Sequence, residues 1–220
     1  MRLLRRSHPV LLALSILAGI VLQSEKADAG ETREIVVASG CFWCVEADFE
    51  RVRGVKEAVS GYTGGTTQNP TYKQVTSGRT GHFEAVKITY DSGVINRSRL
   101  YDLFFRSIDP TDAGGQFCDR GQSYATAIFV SNSAERAAAE AAKAKAQAEL
   151  GRKIVTPILN AKAFYDAEEH HQDYYKGTKR VLTRFGPVKQ TEAYKRYRKG
   201  CGRDERVREL WGNDAPFVGN

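Results

Sequence analysis

Cys41 and Cys44 stand as a C-x-x-C pair in the run GCFWC, and these two thiols are the first groups in the sequence that could do chemistry. The preceding stretch 33–39 (REIVVAS) is short, apolar and β-branched and reads as a buried strand. After Gly40, the apolar residues Phe42, Val45, Phe49 and Val52 recur at helical spacing as far as Gly54, which predicts a helix over 41–53. Cys41 therefore opens a helix. There the unpaired backbone N–H groups and the dipole favour a thiolate, lowering an ordinary cysteine pKa of about 8.5 by one or more units. Cys44 shares the first helical turn and is placed to form a disulfide with Cys41. An inert buried cysteine is the plainer reading of either residue, but Cys41 alone has the helix terminus to itself.

A carboxyl group is the second chemical candidate. The stretch 82–90 alternates as a strand and sends Glu84, Val86 and Ile88 to one face, so Glu84 shares the more apolar side. A carboxyl held against apolar surface has a raised pKa, stays protonated near neutrality and serves as a general acid. The competing reading is an edge-strand glutamate facing water. Cys118 follows Cys44 after 73 intervening residues and Cys201 follows Cys118 after 82, and this lacks the second close pair of an ordinary zinc site. No metal is expected. His82, His170 and His171 read as structural histidines.

Several elements must position these groups. Predicted strands lie at 33–39, 55–62, 82–90 and 124–130, with a helix at 41–53 and another over 95–108 that stops before Pro110. The order strand, helix, strand, strand, helix, strand is that of a split βαβ unit, so the expected class is α+β: a ferredoxin-like two-layer sandwich with a C-terminal extension. The stretch 63–81 reads as a long loop. Asn132 with Glu135 forms a capping box for an alanine-rich surface helix ending at Gly151; a strand at 153–159 and a helix at 167–176 complete the prediction. Near Cys201 the sequence RKGCGRD, with its glycines, suits a flexible arm.

Composition narrows the class of protein. Of 220 residues, 41% are hydrophobic and 27% charged, which excludes a disordered or collagen-like chain. Residues 1–29 combine Arg2, Arg5 and Arg6, an apolar run of thirteen residues from Val10 to Leu22, and the A-x-A pattern Ala27-Asp28-Ala29. That run is shorter than the roughly 20 residues a spanning helix needs. A signal peptide cleaved after Ala29 is expected, leaving 30–220 as one catalytic domain with a mobile C-terminal arm, exported to the periplasm or secreted, with no stable membrane association. The net charge of +7 falls to +5 without the leader, a mild excess. Residues 176–208 hold twelve basic and three acidic residues, read as a solvated basic arm rather than a nucleic-acid surface.

The motifs taken together resemble a known family. Gly40-Cys41-Phe42-Trp43 with Glu46, GYTGG (61–65), NPTY (69–72), TGHFEAV (80–86), DPT (109–111), DRG (119–121) with Tyr124, and HHQDYY (170–175) resemble the A-type peptide-methionine sulfoxide reductases over nearly all of 33–211. The resemblance implies thiol-dependent reduction of methionine S-sulfoxide, free or in proteins, with no bound cofactor; a monomer is expected. In it Cys41 attacks the sulfoxide sulfur and Glu84 supplies the proton. Tyr72 and Tyr124 hydrogen-bond the sulfoxide oxygen, Phe42 and Trp43 seat the S-methyl group, and Asp119 orders the pocket. A sulfoxide is polar at oxygen and apolar at methyl, which suits such a lining.

The resulting sulfenic acid condenses with a second thiol. The family commonly places that thiol in a mobile C-terminal segment, which favours Cys201; Cys44, standing where the commonest motif has Gly, and Cys118 also compete. A thioredoxin-like dithiol then restores the enzyme. Two other readings stand beside this one. A general thiol–disulfide oxidoreductase would use Cys41 and Cys44 without Glu84, and a basic binding module would be indifferent to Cys41.

Overall fold

The computed structural model describes residues 30–183, 186–212 and 215–219, so the leader read in residues 1–29 lies outside the described residues. The chain runs β1 (Thr32–Ser39), α1 (Phe42–Phe49), β2 (Val55–Thr63), α2 (Tyr72–Thr76), β3 (Phe83–Asp91), α3 (Arg97–Arg106), then a small hairpin β4 (Gly115–Gln116) and β5 (Asp119–Arg120). It continues with β6 (Thr126–Val130), α4 (Ser133–Leu150), β7 (Ile158–Asn160), β8 (Tyr165–Asp166), a second hairpin β9 (Arg180–Thr183) and β10 (Gly186–Lys189), and the helices α5 (Gln190–Gly200) and α6 (Arg203–Trp211).

Six strands form one mixed sheet in the order β7-β6-β1-β3-β2-β8. All pairings are antiparallel except β6 with β7. The sheet sorts its side chains by the two-residue period of a strand. Ile35, Val37, Val86, Ile88, Ile128 and Val130 face the helices and pack with Phe42, Val45 and Phe49 of α1 and Leu100, Phe104 and Phe105 of α3. Ala38, Ala85, Ala127 and Phe129 face the other way. This is an α+β fold. Among the described residues no helix is long and apolar enough to cross a membrane.

Several elements depart from the sequence expectation. α1 stops at Phe49, short of residue 53. The loop after β2 contains α2, whose Thr71 and Gln74 close a full capping box. The helix expected over 167–176 is instead two single 3-10 turns, Glu169–His171 and Tyr174–Lys176, separated by Asp173 at φ 55°. Asn132 and Gly151 delimit α4 as predicted, with the Asn132 side chain accepting from Glu135 N–H and Gly151 left-handed. α4 is not a purely surface helix, however: Ala139, Ala142 and Ala146 recur on one face and are buried in the main core, because small side chains allow close approach.

The basic C-terminal segment differs most. Rather than being solvated, Arg198 and Arg203 are 4% and 2% exposed and lie on either side of fully buried Asp48 of α1. Arg198 Nη1 is 2.7 Å from Asp48 Oδ1, and Nη2 donates to Phe217 O at 2.9 Å. Arg203 donates to Ser107 O at 2.9 Å and Ser39 O at 3.3 Å, which ties α6 to the ends of α3 and β1. Trp211 Nε1 donates to Ile108 O. Removing the carboxylate from such a cluster strands charge in a dry interior. Asp48→Ala is accordingly expected to lower unfolding free energy by about 3–5 kcal/mol, measured by urea denaturation. A loss below about 1 kcal/mol, the level of an exposed pair, would show that the cluster does not anchor the C-terminal helices.

Candidate active site

Cys41 sits at the junction of β1 and α1, where Gly40 takes φ 80° to turn the chain. A Cβ at Gly40 would lie 2.6 Å from Gln116 Cβ, so this turn also needs the space only glycine leaves. Gln116 Oε1 in turn accepts from Asp109 N–H at 2.9 Å, which packs the DPT segment beneath the junction. Glu84 comes from the central strand β3 with its side chain on the helix-facing side. Its Oε2 accepts the Phe42 backbone N–H at 3.1 Å, one of the unpaired donors of the α1 terminus. The other oxygen, Oε1, is buried with no hydrogen-bond partner among the described residues.

Cys41, Phe42, Trp43, Tyr72, Glu84, Asp119, Tyr124 and Tyr197 together line a small cavity of about 50 Å³. The structure thus brings together seven of the eight site residues read from the sequence, from four separate segments of the chain. It does not bring Cys201 among them. Cys201 is bonded to Cys118 and lines a larger neighbouring groove, while Cys41 and Cys44 are both free thiols.

The electrostatics differ from the sequence expectation at Cys41. Burial pushes its thiol well up, the Cys44 thiol beside it adds to the rise, and the Glu84 and Asp119 carboxyls oppose an anion there. Exclusion of water outweighs the helix terminus, and the resting Cys41 keeps its proton. Cys44 is shifted down, because the Cys41 thiol donates to it and the Arg203 and Arg198 guanidiniums lie behind it. Glu84 meets its expectation: burial raises it to about 8, against the pull of the Phe42 N–H and with the help of Asp119. Glu46, raised to about 7 by burial, accepts from the Ser60 hydroxyl and from Asp173 N–H at 2.5 Å. Both carboxyls hold a proton in the native state that the unfolded chain releases above pH 4.5. Their contribution to stability therefore falls as pH rises from about 4.5 towards 7 and 8.

Four further residues complete the site. Tyr197 of α5 donates its hydroxyl to Asp119 Oδ2 and meets Trp43 edge-on, with ring centroids 6.1 Å apart. His171 stacks on Tyr72 at 4.4 Å and Trp43 at 5.6 Å. Both of its ring nitrogens lack partners among the described residues, and burial lowers its pKa to about 4, so it is neutral rather than the satisfied structural histidine expected. Glu168 accepts from the Tyr72 N–H at 2.9 Å and the Tyr62 hydroxyl at 2.8 Å, fixing the start of α2. Tyr174 stacks face to face on Trp43 at 3.8 Å. The HHQDYY motif pointed to His171 and Tyr174, but nothing in the spacing of Tyr197 linked it to Cys41.

A buried thiol, a neutral carboxylic acid and phenols around a small aromatic cavity on an α+β frame define a cysteine-dependent reductase. The chain is matched over residues 33–213 by the family model described as peptide methionine sulfoxide reductase. It is 46% identical over 189 residues to peptide methionine sulfoxide reductase MsrA 2 of Rhizobium meliloti, covering 86% of this chain and 88% of that one. It is 47% identical over 186 residues to MsrA of Bacillus subtilis, covering 83% and 98%. The crystal structure of Mxr1 from Saccharomyces cerevisiae in reduced form superposes with a TM-score of 0.63 at 32% identity, covering 66% of this chain and 85% of that one. The chain belongs to the peptide methionine sulfoxide reductase family.

The arrangement of charges sets a direct test. An anionic Glu84 raises the thiol beside it, so Glu84→Gln is expected to lower the titration of Cys41, followed through thiolate ultraviolet absorbance in a Cys44→Ser background. An upward shift or none would show that the two groups do not share one dry site.

Proposed function

We propose that the protein reduces methionine S-sulfoxide, free or in oxidised proteins, to methionine. The observation that carries this reading is the unpartnered Oε1 of a neutral Glu84 in the same cavity as the Cys41 thiol. In the first step the Cys41 sulfur attacks the sulfoxide sulfur while Glu84 protonates the oxygen, the group on which negative charge develops. The oxygen ends on Cys41 as a sulfenic acid, methionine leaves, and the Cys41 thiol proton restores Glu84. The Tyr72 and Tyr124 hydroxyls are suited to hold the oxygen, since burial raises both phenols and keeps them donors. Phe42 and Trp43 provide the apolar seat for the methyl group, and Asp119 orders the opposite wall.

The sulfenic acid then loses water to a second thiol. The sequence favoured Cys201, but that sulfur is held by Cys118. Cys44 is free, lies one helical turn along α1 and is shifted towards thiolate. We therefore assign the resolving step to Cys44, with Cys201 competing once its bond to Cys118 is opened. An external thioredoxin-like dithiol restores the pair, and no bound cofactor enters. The leader-like residues 1–29 support export to an oxidising compartment, which makes such a donor necessary. The antiparallel order β6-β1-β3-β2, joined through α1 and α3, supports reading the core as a ferredoxin-like sandwich.

Chromophore-tagged methionine sulfoxide with dithiothreitol tests the reading. Cys41→Ser is expected to abolish turnover. Glu84→Gln is expected to slow single turnover by about 10²–10⁴ and to remove the wild-type fall in rate above about pH 8, where Glu84 loses its proton. Peptide mapping after one turnover without reductant is expected to find Cys41 joined to Cys44. Full activity in Cys41→Ser would refute the function, and a Cys41–Cys201 bond would return the resolving role to Cys201.

A further inference from the structure

The Cys118–Cys201 disulfide lies outside the thiol pair that the chemistry uses, yet it borders the reaction cavity. Cys118 sits at the tip of the β4–β5 hairpin, where Phe117 takes the left-handed φ of 53° that a tight turn requires and Cys118 is exposed. The Arg203 guanidinium lies 4.8 Å from the Phe117 ring centroid and holds the hairpin against the buried arginine. Cys201 caps the end of α5. One turn earlier on the same helix, Tyr197 donates its hydroxyl to Asp119, the residue after Cys118. The end of α5 is thus fastened twice to one hairpin, by a covalent bond and by a hydrogen bond to a carboxyl group.

Tyr197 is the one residue of α5 that lines the reaction cavity. On its other side lies a groove of about 490 Å³ lined by Trp43, Tyr174, Ala193, Tyr197 and both disulfide cysteines. Tyr197 therefore stands, with Trp43, in the wall shared by the larger groove and the small cavity, and its hydroxyl occupies Asp119 Oδ2. Cys41 and Cys44 are 6% and 2% exposed, whereas Cys118 of the disulfide is an exposed residue on the groove, where a dithiol can approach.

We propose that Cys118–Cys201 is a reversible thiol–disulfide site whose closed form holds Tyr197 across the cavity, and whose reduction frees the end of α5 and admits substrate. An external dithiol cleaves the bond. One of its thiolates attacks a disulfide sulfur, its second thiol displaces the mixed disulfide, and two electrons and two protons pass to Cys118 and Cys201 while the donor becomes a disulfide. The oxidised donor reverses the same exchange. The site thus gates the reductase by the state of the dithiol that also recycles it. This rests on the functional reading above for the identity of the substrate and for Cys44, rather than Cys201, as the resolving thiol.

The test uses the full-length protein with this disulfide first intact, then opened by graded dithiothreitol, its state assigned by peptide mapping. Two readouts are followed: the rate of Cys41 alkylation by iodoacetamide, and KM for the tagged sulfoxide. Opening the disulfide is expected to speed alkylation and lower KM, each by about five- to tenfold, the scale of one hydrogen bond to a carboxyl group that substrate must otherwise displace. Cys118→Ser/Cys201→Ser is expected to behave as the opened form. Tyr197→Phe, which keeps the ring and the disulfide but loses the hydroxyl, is expected to shift in the same direction. Unchanged alkylation and KM on opening, or a Tyr197→Phe protein indistinguishable from the disulfide form, would overturn the gate and leave the bond a staple. Absence of sulfoxide reduction in every form would instead refute the functional reading, with alkylation alone then deciding the gate.

Discussion

The hydrogen bond from the Phe42 N–H to Glu84 joins the first turn of α1 to the central strand of the sheet, and the rest of the site is arranged around it. It fixes one carboxyl oxygen and leaves the other unpartnered, buried and in the same cavity as the Cys41 thiol. A buried polar atom without a partner is costly in a folded protein unless it carries a proton or meets a ligand. Here the same absence of water keeps both Glu84 and Cys41 protonated, so the resting site holds two neutral acids side by side. The ground state carries little charge, and donors stand ready for the charge that develops at a departing oxygen.

Charge is placed one layer further out. Asp48, Arg198 and Arg203 lie on the far side of Cys44, and their ion pairs fasten the C-terminal helices to α1. The same arginines draw Cys44 towards thiolate while Cys41 remains a thiol. One cluster thus anchors α5 and α6 and sets the two sulfurs apart in acidity.

Much of this was legible in the sequence where local periodicity carried it. The β1–Gly40–α1 junction, the facing of Glu84, and the caps at Asn132 and Gly151 follow from patterns of two, three or four residues. The capping box of α2 was equally local, yet it was hidden in a stretch rich in glycine and threonine. What could not be read was set by distance in the chain. The burial of Arg198 depends on Asp48, 150 residues earlier, and a basic run looks the same whether solvated or paired. Tyr197 reaches the site from α5, where its hydroxyl meets Asp119, 78 residues earlier in the chain, a contact no spacing encodes. The thiol of Cys41 was misjudged because a helix terminus is visible in sequence whereas exclusion of water is not.

The protonation of Glu84 is the property on which the chemistry turns, and carbon-13 NMR of its labelled side-chain carboxyl, assigned with Glu84→Gln, measures it without reference to turnover. A titration midpoint near pH 8 is predicted for the substrate-free protein. A midpoint near 4.5, that of an ordinary glutamate, would mean that the carboxyl is an anion at neutral pH and cannot be the acid that the site requires.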